Sequence, residues 1–319
     1  MKLNGGLVLL LALAALLSLF VGRHWIAPGH WVGGDLESLI ITELRLPRIC
    51  VGMLVGAALG TAGASMQGYL RNPLADPGLF GISACAALGA VGSLFFGLGA
   101  SPWVLSLFAL AGAGAGTAVL SLVAGRSGST IIFTLAGVML SSLAAALTAL
   151  IINLAPTPFA STEIVTWLMG ALTDRSWDDV WLGLPLIAVG IAVLLTTRRS
   201  LDALTLGDLA ARSMGVDMRR LQWRIVIGLA LCVGSAVAIA GVIGFVGLMV
   251  PHIMRPLVGH RPSALLIPSA LGGALLVVVA DMVVRSLPIV SEIRLGVVMS
   301  VLGAPFFLAL LLRMRREMA

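Results

Sequence analysis

Charge is scarce in this chain. Of its 319 residues 20 are basic and 14 acidic, 11% in all, where soluble domains carry about 25%. With 59% hydrophobic residues and a mean hydropathy of +1.09, a water-soluble fold is excluded. Lysine is almost missing: Lys2 is the one lysine and the other nineteen basic residues are arginine. That removes the phosphate loop GxxxxGK[ST], so the chain has no ATP-hydrolysing site of that kind. No basic stretch is interleaved with aromatics as in a nucleic-acid surface, which leaves no nucleic-acid partner. Cysteine is sparse too, and Cys50, Cys85 and Cys232 are odd in number, far apart and set in or beside apolar runs, so they read as packing residues rather than a disulfide framework. His24, His30, His252 and His260 have no carboxylate three or four residues on, which leaves no metal site on one helix face. A nucleophile elbow is absent, and with it any catalytic constellation for a membrane enzyme.

What the chain has is a series of long apolar runs. A bilayer core about 30 Å thick needs about 20 apolar residues per helix. The runs Leu7 to Val21, Ile49 to Met66, Leu79 to Leu98, Trp103 to Ala124, Ile131 to Leu154, Val180 to Leu195 and Ile225 to Ile243 give seven spans. Gly244 to Val258 is interrupted by Gly247, Pro251 and Pro256 and predicts a short eighth span, and Leu265 to Val284 and Leu295 to Leu312 complete ten. The first run, which follows Lys2, reads as a retained span rather than a signal peptide, because further apolar segments follow at once. The whole of 1–319 is predicted to be a single all-α transmembrane domain.

Ten spans put both ends on one side. Drawn with the N-terminus inside, fourteen basic residues fall on cytoplasmic segments and six (Arg23, Arg45, Arg48, Arg175, Arg285 and Arg294) outside, as the positive-inside bias requires. Basic loops of this kind lie against anionic membrane lipid. Of the fourteen acids only Asp281 falls inside a run, and Arg285 four residues on makes a helix-face ion pair the simplest reading. Proton-coupled carriers place ionisable groups within the membrane, so this pattern speaks against one, while a stand-alone carrier coupled to another ion stays open.

The longest cytoplasmic connection, 198–224 with its flanking threonines, is polar and unlike the short loops elsewhere. Asp208 is predicted to cap a short helix through Ala210, Ala211 and Met214, Gly215 to end it, and Leu206 and Leu209 to supply apolar contacts. Two readings remain: a docking element for another chain, or an amphipathic helix on the membrane surface.

The segment Leu206-Gly207-Asp208-Leu209-Ala210-Ala211-Arg212-Ser213-Met214-Gly215-Val216 is similar to the cytoplasmic coupling segment of the FecCD family, permeases of iron-siderophore, haem and vitamin B12 importers. Further matches run in order from Arg45-Leu46-Pro47-Arg48 through Met66-Gln67, Asn72-Pro73-Leu74-Ala75-Asp76-Pro77-Gly78, Leu135-Ala136-Gly137-Val138, Gly244-Phe245-Val246-Gly247-Leu248 and Val250-Pro251-His252-Ile253-Met254-Arg255 to Gly303-Ala304-Pro305. The resemblance implies a ten-helix type II ABC importer permease that pairs with a second permease, identical or paralogous, in the bacterial inner membrane. It also implies two ATP-binding cassette ATPase subunits that use ATP and Mg, a periplasmic substrate-binding protein, and no cofactor on this chain. By the same resemblance Leu206, Gly207, Asp208, Ala210, Ala211, Arg212 and Gly215 form the ATPase-coupling site, and Arg45, Arg48 and Arg285 look outward to dock the binding protein. Arg45 and Arg48 read also as interfacial anchors of the second span.

Ser129 and Thr130 match the region of a cytoplasmic gate and read also as a helix N-cap. The stretch from Asn153 to Trp167 resembles an external segment holding a short helix at the pathway mouth. One departure stands out: relatives usually carry Glu-Leu-Pro-Val-Gly before the last span, where this chain has Glu292-Ile293-Arg294-Leu295-Gly296. The cargo the resemblance implies is a ferric siderophore, with haem and cobalamin as lesser alternatives.

Overall fold

The computed structural model describes residues 2–22, 26, 29, 31, 35–99, 101–124, 130–287 and 292–318. Among them every regular element is a helix: α1 Lys2–Phe20, α2 Leu36–Leu70, α3 Ile82–Phe95, α4 Pro102–Ala124, α5 Thr130–Asn153, α6 Pro158–Leu168, α7 Trp177–Leu195, α8 Arg198–Leu204, α9 Asp208–Ser213, α10 Met218–Ala240, α11 Val246–Met254, α12 Pro262–Ser286 and α13 Leu295–Met318. All ten predicted runs appear in order. Eight are helices long and apolar enough to cross a bilayer, while the third and eighth are short, at 14 and 9 residues.

The departures have local causes. Helix α2 begins thirteen residues before the apolar run, because Glu43, Arg45 and Arg48 read as loop but remain helical through a π-helical stretch, Ile40–Arg45. Pro47 follows that stretch at the first turn of regular α-helix, where its missing N–H disturbs least. The third span loses its start to a 3-10 turn, Pro77–Phe80, ended by Gly81 at φ +76°. In α11 Gly247 does not interrupt the helix; it lies where a Cβ on Gly63 of α2 would come 1.9 Å from its carbonyl oxygen.

Helices α2 and α10 form the interior and pack against α7, α11 and α12. The pairing of α2 with α12 is backbone on backbone: a Cβ on Gly60 would stand 2.0 Å from the Ser269 carbonyl oxygen, and one on Gly273 would stand 2.1 Å from that of Gly56. Small residues permit such an approach where lipid gives no hydrophobic drive between helices. Gly89 and Gly112 bring α3 and α4 together in the same way. Helices α1 and α5 are mostly exposed, and along α5 Ile131, Leu135, Met139 and Leu143 form an apolar stripe that lipid or another apolar surface can cover.

Candidate functional site

Chemistry-bearing side chains gather at the two ends of the bundle. At one end the connection between α7 and α10 folds into α8 and α9. Gly207, at φ +98°, is the N-cap residue of α9, which corrects the expectation that Asp208 caps it. Asp208 is the first helical residue, and its Oδ1 lies 2.8 Å from Nη2 of Arg71, just past the end of α2. The left-handed φ at Gly207 turns the chain sharply enough to aim this carboxylate sideways.

At the far end of α9, Gly215 at φ +84° donates to the Arg212 carbonyl (2.9 Å) while Val216 donates to that of Ala211 (3.0 Å). This paired closure is the predicted glycine stop. Ala211, Leu201 and Leu204 are buried and root the unit in the bundle. Asp202 accepts from the Ser263 N–H at 2.9 Å and ties α8 to the start of α12. Leu206, Leu209 and Met214 are 67%, 84% and 63% exposed, so the apolar contacts expected of the two leucines are not made within this chain. All seven predicted coupling residues fall in this one turn–helix–turn, with Ala211 as its internal anchor.

At the opposite end the three arginines expected to look outward are turned inward instead. Arg48 donates from Nε to both carboxylate oxygens of Asp281 (3.0 and 3.1 Å), and from Nη2 to Oδ1 of Asp281 (2.7 Å) and Oε2 of Glu292 (2.9 Å). Arg285 places Nε 2.9 Å from Oδ2 of Asp281, which is the predicted i,i+4 pair, and bonds the Ser18 hydroxyl and the carbonyls of Ser18 and Val21. Arg45 donates to the Leu19 carbonyl. For Arg48 and Arg285 the cause is that Asp281 and Glu292 stand within pairing distance: in a low-dielectric interior an unpaired guanidinium is far more costly than a paired one. Glu292, in the segment before α13, also accepts from Thr173 at 3.0 Å. Its burial alone would raise the carboxyl pKa, but the hydrogen bond and charge of Arg48 outweigh that and hold it below its ordinary 4.5.

Beside this cluster three interruptions of the backbone meet. Helix α10 stops at Gly241 (φ +71°) and α11 starts after Phe245 (φ +66°). The Ala240 carbonyl accepts from Ala171 N–H at 2.8 Å, and Gly296 at the start of α13 donates to the Gly170 carbonyl at 3.1 Å. The short helix expected near the mouth is α6, capped by the Thr157 side chain. Between it and the segment before α13 lies a cleft of about 390 Å³ lined by Phe159, Glu163, Trp167, Arg175 and Arg294. The departure from the family pattern thus places a guanidinium in this cleft.

Three contacts went unread in the sequence. Gln67 of α2 donates to the Gly247 and Leu248 carbonyls (3.4 and 3.3 Å) and accepts from Arg255, which anchors α11. Arg71 counted only among the cytoplasmic basic residues and Glu292 stood in a motif stretch, but nothing in the order of residues said whom they meet. Ser129 lies outside the described residues, and Thr130 is the first residue of α5, so the expected gate is not outlined here.

A multi-pass bundle with discontinuous helices at one end and a rooted, outward-facing handle at the other is the membrane domain of a transporter. Irregular backbone at such a place persists only where protein or a cavity surrounds it. Residues 10–313 match the FecCD transport family, and the chain belongs to that family. Relatives named vitamin B12 import system permease protein BtuC, from Salmonella typhi and Salmonella typhimurium, are each 41% identical over 312 residues, 97% of this chain and 94% of theirs. A solved structure of a metal-chelate type ABC transporter in an inward-facing conformation matches at TM-score 0.90 and 32% identity, over 98% of this chain and 99% of that one. PsaBC from Streptococcus pneumoniae, solved with a Fab, shares the fold at TM-score 0.60 and 18% identity, over 86% of this chain and 93% of that one. The coarse function follows from membership: this is a permease of the ABC importer type, a transport subunit rather than an enzyme. The stand-alone carrier left open by charge distribution gives way to it.

Proposed function

We propose that the chain forms the membrane path by which a bulky metal chelate, a ferric siderophore in the first reading, passes from periplasm to cytoplasm by alternating access. A second permease and two ATP-binding cassette ATPases, which use ATP and Mg, complete the machine, and both termini and the α8–α9 handle face the cytoplasm. The observation that carries this reading is the handle itself: apolar Leu206, Leu209 and Met214 are exposed on a turn–helix–turn whose base is buried and ion-paired to α2. A surface helix held by lipid alone would not need that rigid root. Cobalamin is a second reading with a specific observation behind it, the 41% identity to relatives named for vitamin B12.

Asp208→Ala and Arg212→Ala in the assembled complex are expected to lower transport per ATP hydrolysed while leaving the complex assembled, Asp208→Ala the more strongly because it also frees Arg71. Unchanged coupling in both variants would remove the handle from the mechanism. Comparing uptake of a ferric trihydroxamate, haem and cyanocobalamin by the same complex separates the cargo readings.

Docking of a periplasmic binding protein is proposed for the face that holds Arg45, Arg48 and Arg285. Acidic groups of such a protein would compete there with Asp281 and Glu292 for the guanidinium groups. Arg45→Gln is expected to weaken docking at low salt, where attraction between this face and the partner's acids reaches furthest, and less at high salt. Affinity equal to wild type at low salt rejects the assignment.

A further inference from the structure

The cytoplasmic-side connection carries an excess of arginine that its own acids do not neutralise. Its three carboxylates are all engaged: Asp202 with the Ser263 N–H, Asp208 with Arg71, and Asp217 with the N–H groups of Arg219 and Arg220 and the Arg220 guanidinium. Beside them α8 and the first turns of α10 enclose a cleft of about 370 Å³, within the usual range of small-ligand sites. Arg199, Arg220 and Arg224 line it, with Asp217 the one acid. Among the described residues the guanidinium groups of Arg199 and Arg224 have no ion-pair or hydrogen-bond partner.

Beyond the cleft, α10 carries exposed apolar side chains. Arg220 and Arg224 stand one turn apart on α10, and Ile227 follows on the same face, 43% exposed. Trp223, 44% exposed, lies beside Arg224, at the level where indole rings mark the headgroup boundary.

We propose that this cleft binds the phosphodiester headgroup of an anionic glycerophospholipid, with Arg199, Arg220 and Arg224 holding the phosphate and the acyl chains lying along Trp223 and Ile227 of α10. Bidentate guanidinium groups suit a phosphate, and the adjoining apolar track suits a lipid over a soluble anion or an acidic protein loop, neither of which would use it. Basic pockets between membrane helices are recognised hosts of such headgroups. The inference is independent of the cargo, and Met214 and Gly215 of the handle border the same cleft.

The test uses the full chain in a neutral detergent, with phosphatidylglycerol, phosphatidylcholine and inorganic phosphate added in turn. Phosphatidylglycerol at a hundredfold excess over its Kd should raise the unfolding midpoint by roughly 4 °C or more, and native mass spectrometry should show it retained. Phosphatidylcholine and inorganic phosphate should do neither. Arg199→Gln with Arg224→Gln should abolish the shift and the retained lipid, while Arg199→Lys with Arg224→Lys, which keeps the charge, should preserve part of both. Equal shifts with phosphatidylcholine, a full shift with inorganic phosphate alone, or an undiminished shift in the glutamine variant each overturn the proposal. If the glutamine variant does not fold, the lysine variant decides: loss of charge selectivity with that pair also rejects it.

Discussion

Replacing Asp281 with alanine is expected to destabilise the bundle by about 3–5 kcal/mol, the usual penalty for stripping one partner from a buried ion pair. Asp281 is 4% exposed at its side chain and stands between Arg48 at 11% and Arg285 at 5%. Without it Arg48 keeps Glu292 as its acid, while Arg285 keeps the Ser18 hydroxyl and the Ser18 and Val21 carbonyls but no carboxylate among its described contacts. Glu292→Gln should cost distinctly less, because its side chain is 26% exposed and water can replace part of the contact. Unfolding in detergent by a denaturant series measures both. A loss in Asp281→Ala no greater than about 1 kcal/mol, the range of surface pairs, would show that the cluster is not a structural centre.

Gly60→Leu is expected to be at least as disruptive. A bare Cβ at this position already stands 2.0 Å from the Ser269 carbonyl oxygen, so α2 and α12 must move apart before any larger side chain is placed. Overpacking costs about 1–3 kcal/mol where a core can adjust, and here the obstacle is backbone, which adjusts least. The variant should express as misfolded or readily proteolysed protein. Gly114→Ala on α4, where a Cβ meets nothing within 4 Å, is the control and should be neutral or stabilising by about 1 kcal/mol at most. Normal folding of Gly60→Leu would mean that the two helices do not approach as closely as described.

Much of the architecture was legible because lipid imposes a simple grammar: apolar runs became helices in order, and the run broken by glycine and proline became the short α11. The Asp281–Arg285 pair and the glycine stop at Gly215 were legible because both are local, set by spacing of three or four residues. What was not legible is non-local. The start of α2 was misplaced because Arg48 reads as a loop residue until Asp281 and Glu292, 233 and 244 residues away, are known to neutralise it. For the same reason the outward reach of Arg48 and Arg285 was misjudged: their nearest acids belong to the same chain. Asp208 looked like a cap by composition, but the turn needs a left-handed residue, so Gly207 took the cap and released the carboxylate to Arg71.

Helix α2 runs 35 residues, about 52 Å at 1.5 Å per residue, with Arg48 near one extremity and Arg71 just beyond the other. The handle is pinned to it through Asp208, and α12, locked alongside by the glycine seam, is pinned through Asp202 and Ser263. Under the proposed coupling role a push on α9 would reach α2 and α12 together, because backbone-to-backbone contact at Gly60 and Gly273 leaves little room for one helix to slide on the other.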